Sequence, residues 1–159
     1  MINGEHIFHC SDSHSSTKAN NMSKFPAWFN RAYKRWSRSQ PGEEDLLAFC
    51  DMLGYSPSKV LAWLHGESVP EGPEVLSIAG ILGIQVYEVL DLQKPDPELL
   101  QIFHSFSHLT GNYRSKLAHA LWEAQTDTNN QGLIFDSDEA KIILANVFKK
   151  WGLDKSKID

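Results

Sequence analysis

Residues 56–66, Ser-Pro-Ser-Lys-Val-Leu-Ala-Trp-Leu-His-Gly, are the stretch on which the fold turns. Ser56 is a strong helix N-cap, and Pro57 suits the first helical position, where an N–H has no partner anyway. Gly66, after His65, is a C-terminal stop. The helix predicted between them, about Pro57–His65, is short, with Val60, Leu61 and Leu64 as apolar surface and Trp63 beside them. Just upstream, Leu46, Phe49, Cys50 and Leu53 recur at three- and four-residue steps, and Gly54 closes that stripe. Two helices joined by a tight turn containing Gly are the local signature of a helix-turn-helix.

The same pattern extends outward in both directions. Downstream, Gly72-Pro73 opens a helix through Leu82 that is apolar almost all round, so it belongs at the centre of the fold. Gly83 stops it, and a short helix, Val86 to Leu90, follows. Upstream, Glu43-Glu44-Asp45 place acids at the start of the second helix, Glu43 to Leu53, where the helix dipole favours them. Pro41-Gly42 separates that helix from a first one, Phe25 to Ser37, whose inner face is Phe29, Ala32 and Trp36, extended by Trp28. Beyond the Lys94-Pro95-Asp96-Pro97 boundary, three more helices are predicted: Pro97 to about His108, Thr110-Gly111 to about Ala124, and a last one capped by Ser137 and running to Trp151. Thr126 to Gly132 reads as a polar linker, and Met1–Asn21, rich in Ser, Asn and His, as a disordered tail. No strand-length alternation and no internal repeat occurs. The fold class is all-α, organised as a tail over 1–22, a helix-turn-helix domain over 23–93 and a C-terminal helical region over 94–159.

The chain has 159 residues, 42% hydrophobic and 22% charged, which fits a globular protein. No apolar run approaches the ~20 residues of a membrane span, so no membrane partner is expected. Cys10 and Cys50 are too few for a disulfide scaffold, and no secretory signal opens the chain, which points to the cytoplasm. The net charge of −5 excludes a generic nucleic-acid coat. Its distribution matters more: from Lys18 to Gln40 the chain carries six basic residues, among them Arg31, Lys34, Arg35 and Arg38, and no acid.

As a linked pattern, residues 24–92 resemble the phage-repressor (Cro/repressor, xenobiotic-response-element type) family of helix-turn-helix domains. The resemblance rests on Phe49, Cys50, Leu53 and Gly54 in the second helix. It continues through Ser56, Ser58-Lys59, Val60, Trp63 and Gly66 in the third, then Pro70, the Val75–Leu82 helix, Leu82-Gly83-Ile84 and Val86–Leu90. It implies a five-helix lambda-repressor-like domain whose third helix enters the major groove of double-stranded DNA. Base-edge readers would come from Pro57, Ser58, Lys59 and Ala62. Lys59 is suited to guanine O6 and N7, and Ser58 to a base or a phosphate. Ser56 opens this surface, His65 would touch a phosphate, and Arg31, Lys34, Arg35 and Arg38 would position the backbone. The function implied is a sequence-specific transcriptional regulator acting as a homodimer through its C-terminal helices.

Competing readings come from the same residues. Leu46 stands where the family offers a Gln, and Glu43-Glu44-Asp45 repels phosphate. These support an alternative, a helix-turn-helix scaffold that binds protein and not DNA. Lys59 is either a base reader or a solvated charge, and the basic set either meets phosphate or forms a wet helix face. Val60 and Trp63 read as core. His6, His9, Cys10 and His14 match no zinc spacing, and His104 with His108, four apart on one helix, supply only two ligands. No phosphate loop, nucleophile elbow or HExxH motif occurs, so neither an enzyme nor a cofactor is expected. Phe103, Phe106, Leu117, Leu121, Val147, Phe148 and Trp151 carry more apolar surface than a small appendage hides. They pack onto the first domain, pair two copies, or line a ligand pocket.

Overall fold

The computed structural model describes residues 14–42, 45–106 and 111–153, with side chains from Lys24 onward. Among these residues there are eight α-helices and no strand: α1 His14–Ser39, α2 Leu46–Leu53, α3 Pro57–His65, α4 Pro73–Leu82, α5 Gln85–Val89, α6 Pro97–Ser105, α7 Gly111–Asn130 and α8 Asp138–Lys150. The chain is all-α. None of its described helices is long and apolar enough to cross a membrane.

The punctuation expected from the sequence sets most boundaries. Asp45 caps α2 by accepting from the Leu47 and Ala48 amides at 2.9 and 3.1 Å. Ser56 caps α3 through the Lys59 amide, Asp96 caps α6 through Glu98, and Ser137 caps α8 through Ala140. Gly54 and Gly66 end α2 and α3 in the left-handed conformation, with φ of 77° and 74°.

Four boundaries differ from expectation. α2 starts at Leu46 with Asp45 as its N-cap, not at Glu43, which with Glu44 lies outside the described residues. α1 starts at His14, not Phe25, so residues 14–22 of the segment read as a tail are helical; residues 1–13, with His6, His9 and Cys10, lie outside the described residues. Proline ordinarily marks a first turn, but Pro26 is accommodated inside α1. α7 runs on to Asn130 through the expected linker. Two threonine hydroxyls there donate to carbonyls one turn back, Thr126 to Trp122 at 2.8 Å and Thr128 to Ala124 at 2.7 Å, which satisfies the polar groups within the helix. α6 ends at Ser105, short of His108, which falls outside the described residues.

Two hydrophobic clusters share α4. One gathers α1–α5 around Phe25, Phe29, Phe49, Leu53, Val60 and Trp63, joined by Val75 and Ile78 of α4. The other gathers α6–α8 around Leu99, Phe103, Leu117, Leu121 and Val147, joined by Leu76 of α4. Of the three fates open to the C-terminal apolar surface, packing back onto the chain takes up most of it. Phe103, Leu117, Leu121 and Val147 are buried, and Phe106, Phe148 and Trp151 pack partly buried against them.

Candidate nucleic-acid interface

α3 is fixed along its inner side and at its trailing end. Val60 and Trp63 are buried. The Trp63 ring meets Phe29 of α1 edge-on, with centroids 5.9 Å apart, and Tyr55 of the preceding turn at 5.2 Å. Edge-to-face aromatic pairs of this kind add ~0.5–1.5 kcal/mol beyond area burial. Asn30 of α1 donates from Nδ2 to the Leu64 carbonyl at 2.8 Å and to the Pro26 carbonyl at 2.9 Å, tying α1 to the last turn of α3. Gly66 follows in direct approach to Pro26: a Cβ there would lie 2.9 Å from the Pro26 ring.

The leading end of α3 is left open. Ser56, Pro57, Ser58 and Lys59 are all exposed. Ser56 Oγ lies 3.2 Å from Ser58 Oγ and accepts from the Lys59 amide at 3.4 Å. The other expected base reader, Ala62, is half-buried, and its carbonyl accepts from the Glu67 amide at 2.9 Å as part of the helix end. His65 is exposed at the trailing end, with Nδ1 3.7 Å from a Glu67 carboxylate oxygen. The structure therefore exposes Ser56, Pro57, Ser58 and Lys59 at the leading end of α3, with the half-buried Ala62 one turn further on, three and four residues from Lys59 and Ser58, and His65 at the far end.

Lys59 does not extend freely. Its ammonium forms an ion pair with Glu74, in the first turn of α4. It also lies over two aromatic rings, 5.6 Å from the centroid of Tyr55 and 5.9 Å from that of Trp63. A groove of ≈ 560 Å³ runs from Lys59 and Trp63 past Val69, Glu71 and Glu74 to His119 on α7. Lys59 and Glu74 lie fifteen positions apart, a spacing with no sequence signature. Glu74 read only as an acid at a helix start.

Arg31, Lys34, Arg35 and Arg38 are all exposed. Helical spacing puts them on the side of α1 away from Phe25, Phe29 and Ala32. They form a basic face of α1. Contacts of α1 with α3 include the Phe29–Trp63 ring pair and the Asn30–Leu64 hydrogen bond. Arg38, in the last turn of α1, is the nearest of the four in sequence to the loop leading to α2.

Burial, then the neighbouring Asp51 charge, pushes the Cys50 thiol up, and its side chain is enclosed. Burial pushes the Tyr55 phenol up as well, and that of Tyr87 up to about 12. Among the described residues no three of His, Cys, Asp and Glu gather as metal ligands. His104 turns Nε2 to the Gly80 carbonyl at 3.2 Å. No family model matches the chain, and neither a curated protein nor a solved structure matches it.

Proposed function

We propose that the chain is a sequence-specific DNA-binding regulator of the phage-repressor type, with α1–α5 as the reading head and α3 as the helix that enters the major groove. The observation that carries this reading is the contrast along α3: Val60 and Trp63 are buried, whereas Ser56, Pro57, Ser58 and Lys59 stand exposed at its capped leading end. A helix clamped on its inner side with a polar leading end outward is what groove insertion requires. The basic face of α1 supplies phosphate contacts that set affinity, and the α3 side chains select bases. Occupancy of a site is the mechanism, and counterion release makes it salt-dependent.

Palindromic sites would be read by two copies. Ile134 and Ile142, 76% and 63% exposed, give the C-terminal region apolar surface for such pairing.

A second reading, a helix-turn-helix scaffold that binds protein, draws on the Lys59–Glu74 pair and on Leu47, 61% exposed in the first turn of α2. Selection from a random duplex library, followed by salt titration of any enriched sequence, separates the two. A recovered motif with a steep salt slope supports the regulator. Equally poor retention of all duplexes at low salt removes it and leaves the scaffold.

A further inference from the structure

Glu74 has two features that a simple surface acid lacks. Its side chain is only 16% exposed, and both carboxylate oxygens are engaged, Oε1 by Lys59 and Oε2 by the Glu71 amide at 3.1 Å. The Lys59 ammonium is held from three sides, by Glu74 of α4, by the Tyr55 ring ahead of α3 and by the Trp63 ring within it. The one cation among the exposed residues 56–59 is thus turned toward its own chain, and its charge is compensated there.

We propose that Glu74 is a positioning residue that sets when Lys59 engages DNA, a latch on the leading end of α3. The inference rests on the DNA-binding reading above. A phosphate or base edge approaching Lys59 meets a neutral pair with a carboxylate behind it. Lys59 contributes only when it leaves Glu74 for the nucleic acid. While latched, it adds neither counterion release nor a base contact, and affinity is held down. The groove beside the pair opens toward His119, so α7 and the loop Ser68–Glu71 border the path along which the ammonium swings.

The test uses the full chain and a mixed-sequence DNA duplex, titrated from ~50 to ~200 mM salt, the range over which phosphate contacts are read. Glu74→Gln keeps an oxygen for the Glu71 amide and removes the charge. Breaking one partly exposed pair is expected to tighten binding up to about fivefold. It should also steepen the slope of log affinity against log salt by about 0.9, the signature of one added phosphate contact. Lys59→Met should cancel the gain made by Glu74→Gln, so that the double variant binds no tighter than Lys59→Met alone. Equal tightening by Glu74→Gln in the Lys59→Met background means that the carboxylate acts as a distant charge, and the latch is wrong. Wild-type binding that Glu74→Gln leaves unchanged overturns the latch alone. No duplex retention by any form at low salt overturns the DNA reading and the latch together.

Discussion

Gly54 and Gly111 meet backbone to backbone. A Cβ on Gly54 would sit 2.6 Å from the Gly111 carbonyl carbon, and one on Gly111 would sit 2.8 Å from the Asp51 carbonyl carbon and 2.9 Å from the Gly54 amide nitrogen. The first residue of α7 thus lies directly on the turn between α2 and α3, and the C-terminal region braces α1–α5 at that turn. Gly54 is fixed twice over, because its φ of 77° is itself costly for a side chain.

Gly111→Ala follows from that contact. Overpacking a tight site costs ~1–3 kcal/mol when flexible side chains can yield. Here the obstruction is backbone, so a loss of about 3 kcal/mol is expected. Urea unfolding should show a lower midpoint at unchanged slope. A loss below about 0.5 kcal/mol, the range of ordinary surface substitutions, would show that the joint is loose.

Asn30→Ala removes the amide that holds the Leu64 carbonyl. Leaving a partly buried acceptor unpaired costs ~1–2 kcal/mol. Hydrogen exchange should report the effect locally, with the last turn of α3 losing protection ahead of α4. Uniform loss across the chain is the contrary result.

Arg38→Ala and Ser58→Ala should divide the proposed labour on DNA. Arg38→Ala is expected to weaken binding to every duplex alike and to flatten the salt slope by about 0.9. Ser58→Ala is expected to relax base preference at one position of a selected site by ~1 kcal/mol, with little change in slope. If both variants behave identically across sequences, α3 is not the selecting element.

Glu123 gives a pH test. The Lys150 ammonium, hydrogen-bonded at 2.5 Å, and then the Trp151 indole N–H at 2.8 Å hold its carboxyl below the ordinary glutamate value of 4.5. A carboxyl held low in the folded chain stabilises it fully above that ordinary value, and the contribution fades as pH falls through the folded value. The pair is partly exposed, so its worth is ~0.5–1 kcal/mol. Glu123→Gln should lower the melting temperature at neutral pH, and the difference from wild type should shrink below pH 4.5. A difference constant across that range would place the effect elsewhere.

Local chemistry made α3 and α4 legible. Ser56, Pro57 and Gly66 bound α3 as the sequence implies, because a cap, a fixed φ and a left-handed stop act over a few residues. The nearly all-apolar α4 was legible as central for the same reason. What could not be read is non-local or runs against local preference. The continuation of α7 through Thr126–Asn130 depends on carbonyls one turn back. Gly111 reads as a helix opening and gives no hint that it presses on residue 54. Glu74 shows its partner only once α3 and α4 lie side by side.

The two-sided burial of α4 has a practical corollary for dissecting the molecule. A fragment ending at residue 93 would keep α1–α5, yet it would bare Leu76 and uncover the turn at Gly54. Such a truncation should clump during purification. Making α1–α5 stand alone calls for resurfacing Leu76 with a charged side chain.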